Sequence, residues 1–187
     1  MPPKIKISKE RVIEAAISLV RSGGAEAINA RTLAATLDCS TQPIFSNFET
    51  MDDLQKAVLD RAHQIYMDFL KKEAESKQYP EYKAFGMAYI RFAKEEKELF
   101  KLLFMCDRKG NPLPTTEDFD VSVEIIMKNV ALSRERATLM HLEMWTSVHG
   151  IATMFATSFL ELDWELVARM LSDVYQGIRA RHLSEES

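Results

Sequence analysis

Glycine and proline are scarce in this chain: there are six of each in 187 residues, and none of the prolines lies beyond Pro114. Average usage is about 7% and 5%. Tight turns depend on these two residues, so the scarcity argues against a sheet-rich fold and for a mostly helical one. Cysteine is scarcer still. Cys39 and Cys106 are the only two, too few for a disulfide framework or a four-cysteine zinc site. A membrane span needs about 20 predominantly apolar residues. The most apolar long stretch, 144–162, is broken by Ser147, His149, Thr153, Thr157, Ser158 and Glu161, and it reads as a buried amphipathic helix. The opening MPPKIKISKERV lacks the apolar core of a signal peptide. A reducing, cytoplasmic location is therefore expected, with no membrane partner. There is no glycine-rich phosphate loop, no HExxH and no local Cys–His or Ser–His–Asp signature. The expectation is a protein that is not an enzyme and carries neither cofactor nor metal.

What is present is an ordinary globular composition, 47% hydrophobic and 28% charged, at a length that suits one or two domains. The net charge of −4 is unevenly spread. Residues 1–48 hold six basic side chains (Lys4, Lys6, Lys9, Arg11, Arg21, Arg31) against four acidic ones (Glu10, Glu14, Glu26, Asp38). A weakly basic head on an acidic body is compatible with an N-terminal nucleic-acid module.

Apolar periodicity predicts a first helix over about 8–22, with Ser8 able to cap it and Gly23-Gly24 to stop it. Two short helices follow: 30–37, with Asn29 as cap, and 41–48, with Ser40 as cap and Pro43 in the first turn, where proline is tolerated. The turn between them is Asp38-Cys39-Ser40. Two short helices around a tight turn describe a helix-turn-helix. Thr50, with Asp53 in the capping-box position, opens a long helix reaching about Ser76, whose apolar stripe is Leu54, Val58, Ala62, Ile65 and Phe69. Lys77-Gln78-Tyr79-Pro80 marks a boundary. Beyond it, helices are expected at about 81–95, 97–106, 116–130, 133–160 and 164–182, with Thr116, Ser133 and Asp163 as caps and Asn111–Pro114 as a loop. The fold class is all-α: an N-terminal three-helix helix-turn-helix domain (1–50), a connecting helix (51–76) and a C-terminal helical bundle (77–187).

Residues 28–54, INARTLAATLDCSTQPIFSNFETMDDL, resemble the DNA-binding domain of TetR-type (tetracycline-repressor-like) transcriptional regulators. The features that carry the resemblance are the Leu33-Ala34 pair, the serine after the turn, Ile44-Phe45, and Asn47-Phe48 before a newly capped helix. Trp145 to Gly150, WTSVHG, resembles a C-terminal subtype marked by a Trp, a His and a Gly. The chain departs from the family's habit at four places: Asp38 replaces a usual turn glycine, Met51 a phosphate-contacting lysine, Lys97 a proline and Phe45 a common tyrosine. The resemblance implies a DNA-binding regulator, a ligand-responsive repressor acting as a homodimer on a palindromic duplex operator, with a small-molecule effector in the C-terminal bundle. The alternative is a helical small-molecule-binding or adaptor protein without sequence-specific DNA binding.

A recognition helix reads base edges from its first turn, which places Ser40, Thr41, Gln42 and Pro43 at the bases. Gln42 can pair with adenine, and Thr41 and Pro43 can touch thymine methyls. Arg31 can reach guanine or phosphate. Phe45 and Asn47 complete the candidate DNA-binding set along the sugar-phosphate backbone, although Phe45 could equally be core and Phe48 is read as core. For the effector, the candidates are Phe92, Phe104, Met127, Met144, Trp145 and His149, on the inward faces of the fifth to eighth helices. His141 and His149 could fix a polar group, so an apolar or aromatic molecule of modest size is favoured over a sugar phosphate. His141, Trp145 and His149 share one helix face, which serves a pocket wall and a plain core or dimer interface equally well. The last two helices carry long apolar stripes (Met140, Met144, Val148, Ile151 and Phe155; then Val167, Met170, Val174 and Ile178), from which a two-fold four-helix interface is expected. Gly150, in mid-helix at a cost of roughly 1 kcal/mol relative to alanine, suggests close approach of another backbone.

Overall fold

The computed structural model describes residues 7–106 and 116–184. The expected loop Asn111–Pro114 lies outside them, and so does the side chain of Thr116, expected as a cap. The described residues form nine α-helices and no strand. In chain order these are α1 (Lys9–Gly23), α2 (Ala30–Thr36), α3 (Gln42–Asn47), α4 (Met51–Glu75), α5 (Glu81–Glu95), α6 (Lys97–Phe104), α7 (Thr116–Val130), α8 (Arg134–Ala156) and α9 (Trp164–Ser184). None of them is long and apolar enough to cross a membrane. Two compact units result: residues 7–68 with 96–106, and residues 69–95 with 116–184.

In the first unit the local signals set the helix ends. Ser8 Oγ accepts from the Arg11 amide at 3.3 Å, and Gly24, at φ 75°, closes α1 with its N–H on the Val20 carbonyl. A 3-10 turn, Ala25–Ala27, follows. Asn29 Oδ1 accepts from the Arg31 and Thr32 amides, each at 3.0 Å, and Thr32 Oγ1 accepts in return from the Asn29 amide at 3.1 Å. This reciprocal box fixes where α2 begins. A second box starts α4. The Thr50 amide donates to Asp53 Oδ2 at 3.0 Å, and the Asp53 amide donates to Thr50 Oγ1 at 3.1 Å.

The core of this unit joins Val12, Ala16, Ile17 and Val20 of α1 with Leu33, Ile44, Phe48, Leu54 and Val58, all buried. Helix α6 belongs here too, although it comes after α5 in sequence. It packs on α1, its Leu99 and Phe100 are fully buried, and burying such side chains stabilises by about 1.5–3 kcal/mol each. Glu96 leaves its N-cap role unused and instead accepts a forked pair from Arg21, at 2.9 Å from Nε and 2.7 Å from Nη2.

The second unit is built around α8, against which α5, α7 and α9 pack. Met140, Met144, Val148, Ile151 and Phe155 are all buried within the chain, so the apolar stripe of α8 is not the surface that calls for a partner. Helix α8 stops at Ala156 rather than near 160. Ser158 turns left-handed at φ 55°, and the Phe159 amide bonds back to the Met154 carbonyl, a C-terminal cap built without glycine. Ser133 caps α8, and Asp163 Oδ1 caps α9 through the Glu165 and Leu166 amides at 2.8 and 3.3 Å. Tyr82 pairs with His141 and Tyr89 with His149, so α5 and α8 run in the same direction.

Candidate nucleic-acid interface and effector site

The turn between α2 and α3 is closed by the Cys39 amide on the Ala34 carbonyl at 2.9 Å. Asp38 takes the left-handed conformation there, φ 50°, which Asp tolerates better than most residues. The buried faces of the two helices, Leu33-Ala34 and Ile44, orient the pair and leave one side open. On that side Arg31, Ser40, Thr41 and Gln42 are exposed and Pro43 is partly buried. Helix α3 is one residue shorter at each end than the sequence suggests. Thr41 stands at its N-cap in a helical conformation with no side-chain capping bond, so the Ser40 and Thr41 hydroxyls are not used as caps there.

Phe48 is buried and Phe45 is 50% exposed. The two rings, three residues apart, thus divide between core and surface. Asn47 is half-buried. Its Nδ2 donates to the Pro43 carbonyl at 2.8 Å and to the Ile7 carbonyl at 3.1 Å. The amide nitrogen is therefore engaged inside the protein, where the sequence suggested a backbone contact to DNA. At the start of α4, Met51 is followed by Asp52 and Asp53.

The six candidate effector residues are distributed rather than gathered. Trp145 and His149 lie together, stacked with ring centroids 5.1 Å apart. Met144 is buried in the core. Phe92 is fully buried with its ring edge-on to Phe69 at 5.5 Å. Met127 packs against the cluster of Val123, Ile126, Val130 and Met140. Phe104 lies in the first unit, against Tyr66 at 5.1 Å and Phe100 at 5.2 Å. Both imidazoles proposed as polar anchors already hold a tyrosine: Nδ1 of His141 is 2.9 Å from the Tyr82 hydroxyl, and Nδ1 of His149 is 2.9 Å from that of Tyr89. Burial pushes His141 down to about 4 and lowers His149 in the same direction, so both rings are neutral at pH 7. Among the described residues no group of three His, Cys, Asp or Glu side chains is placed to hold a metal ion.

Residues 82–174 match the family model described as tetracyclin repressor-like, C-terminal domain. The chain is thus similar to that family over its C-terminal half. Its fold is that of two solved relatives. One is a TetR-like transcriptional regulator from Rhodococcus sp. RHA1, with a TM-score of 0.65 at 12% identity, covering 98% of each chain. The other is a TetR family member from Streptomyces coelicolor A3, with a TM-score of 0.59 at 19% identity, covering 89% of this chain and 96% of that one. No curated protein matches in sequence.

One polar cluster in this chain went unforeseen. His182, 1% exposed, lies with Nε2 3.0 Å from Glu143 Oε2, and Arg181 pairs with the other oxygen of that carboxylate. Burial alone would raise the Glu143 carboxyl, but the bonds from His182 and Arg181 outweigh it and hold the group below the usual carboxylate value. His182 Nδ1 is buried without a partner. A histidine in the last turn of a helix reads from sequence as a solvated charge facing the helix dipole, so nothing local announced the burial. The two Tyr–His pairs did leave a signal. Tyr82 and Tyr89 are seven apart on one helix face, and His141 and His149 are eight apart on another.

Proposed function

We propose that this chain is a DNA-binding transcriptional regulator, a repressor released by a small ligand, acting as a homodimer in the cytoplasm. The observation that carries the reading is the exposed set Arg31, Thr41 and Gln42 at the starts of two short helices held by a tight turn. In this reading residues 1–50 address the duplex, 51–76 connect, and 77–187 take ligand and form the dimer. The two-fold symmetry requires a roughly palindromic operator. The effector is an apolar or aromatic molecule of modest size, met by some of Phe92, Phe104, Met127, Met144, Trp145 and His149. It acts by favouring a conformer whose recognition helices are wrongly spaced for DNA.

The dimer surface in this reading is the outer side of α8 and α9. Gly150 and Gly177 have open space around them, and Met170 is exposed. A mid-helix glycine is tolerated where a second backbone comes close.

The test is selection of duplexes from a randomised pool by the full chain, followed by binding at several salt concentrations. A palindromic consensus and a steep salt slope are expected. One observation favours the second reading, a helical adaptor without DNA binding. Residues 32–55 contain no lysine or arginine and hold Asp38, Glu49, Asp52 and Asp53. A pool with no enrichment and no salt-dependent binding would establish that reading.

A further inference from the structure

We infer that the effector is a phenol-type molecule, an aromatic ring carrying a hydroxyl, and that Tyr89 holds its place on His149 while no effector is bound. This deepens the ligand-responsive reading above and rests on it. Helices α5 and α8 are joined by two chemically identical rungs, Tyr82 on His141 and Tyr89 on His149, each with the phenol oxygen 2.9 Å from Nδ1. Between the rungs the helices approach closely at Gly86, where a Cβ would stand 3.4 Å from Val148 Cγ2 and 3.5 Å from Leu171 Cδ1. An aromatic ring has no room at that level. The two rungs differ in access. His141 is buried, and Tyr82 is backed by Tyr175 with ring centroids 5.8 Å apart. His149 is only partly buried, and Gly150 beside it is exposed with open space around its Cα. The His149 ring stacks on the partly buried Trp145 indole, with centroids 5.1 Å apart and planes within 24° of parallel.

What the ligand must replace sets its chemistry. Burial disfavours the charged form of His149, so the ring presents a neutral nitrogen, and an anionic effector gains no ion pair from it. A hydrocarbon that pushed Tyr89 aside would break the bond at Nδ1 and put nothing in its place, and a half-buried polar group left unpaired is costly. A hydroxyl restores that bond, and because it both donates and accepts it suits either tautomer of the imidazole. An aromatic ring attached to it can pack on Trp145 at the usual centroid spacing of about 4.5–7 Å. One phenol is thus exchanged for another, and Tyr89 acts as a competitor built into the chain.

The experiment titrates the full chain, without DNA, by isothermal calorimetry with 4-chlorophenol and with chlorobenzene. The wild type should prefer the phenol by the worth of one hydrogen bond, roughly 2- to 12-fold. Tyr89→Phe removes one oxygen and with it the competitor, so both probes should bind tighter by a similar factor while the preference between them stays. Tyr82→Phe, the same change on the closed rung, should leave both affinities as they are. His149→Phe should abolish the preference. A wild type that does not bind 4-chlorophenol, equal affinity for the two probes, or a Tyr89→Phe chain that binds no tighter than Tyr82→Phe overturns the inference. None of these outcomes touches the duplex selection described above, on which the regulator reading stands or falls separately. A chain that binds 4-chlorophenol as expected and selects no duplex keeps the ligand site and loses the regulator.

Discussion

Replacing His141 by glutamine should remove a specific part of the acid sensitivity of this fold. The imidazole is buried on α8 with Nδ1 against the Tyr82 hydroxyl. Burial disfavours its charged form and holds it at about 4, against an ordinary value of 6.5. The unfolded chain therefore takes up a proton before the folded one does. Its contribution is complete above the unfolded value and is lost as the pH falls from 6.5 through about 4. At pH 5 the unfolded imidazole is almost fully protonated and the folded one almost not, which costs the wild type about 2 kcal/mol relative to pH 8. That is a large share of a typical total of about 5–15 kcal/mol. Urea unfolding followed by far-UV circular dichroism at pH 8 and pH 5, at one fixed protein concentration, measures it. His141→Gln will lower stability at both pH values, but the difference between the two should shrink by about 2 kcal/mol. His149 and the carboxylates titrate alike in both proteins and cancel. An unchanged pH difference would refute the argument and mean that the folded state reaches the proton by opening locally.

Three further outcomes follow from the same geometry. Gln42→Ala should cost about 1–3 kcal/mol on the selected duplex and relax the preference at one base pair; a competition series over single-base variants measures it, and an unaltered preference would take Gln42 out of the reading set. Gly177→Leu, set where a side chain meets open space within the chain, should gain up to about 1 kcal/mol of helix propensity yet shift sedimentation at micromolar concentration from dimer towards monomer; an unshifted profile would place the dimer contact elsewhere. Trp145→Ala should change the response to an effector while leaving the DNA affinity of the ligand-free chain intact, whereas loss of the folded near-ultraviolet spectrum would make the Trp145–His149 stack part of the core.

How much of this was legible depended on distance along the chain. A cap needs only a polar side chain and an amide two or three residues away. Ser8, Asn29, the Thr50–Asp53 box, Ser133 and Asp163 were accordingly readable, and the helices at 81–95 and 116–130 end where expected. Partners were not readable. The amphipathic character of α6 is plain from Leu99 and Phe100, but an apolar stripe does not name the surface it covers, and here that surface is α1. Likewise Asn47 looked like a DNA contact because its neighbours do, and its bond to a carbonyl forty residues earlier leaves no mark on either segment. The effector residues were chosen as inward-facing; Phe92 and Met144 are buried, and Phe104, Met127, Trp145 and His149 are partly buried. Inwardness alone does not separate a wall from a core.

The placement of α6 sets an order of events during synthesis. The first unit has its helix-turn-helix complete at Phe48 and its share of α4 at Asp68, yet the face of α1 that receives α6 stays uncovered until Phe104 has been made. At about 5–20 residues per second, those 36 further residues take about 2–7 s. Collapse of a chain of this size takes well under a millisecond, so the nascent N-terminal segment waits in a form whose apolar surface is open while α5, which belongs to the other unit, is being added. An N-terminal fragment ending after α4 would remain in that form permanently, and a chimera exchanging only the first fifty residues with a relative would present α6 with a surface it was not matched to.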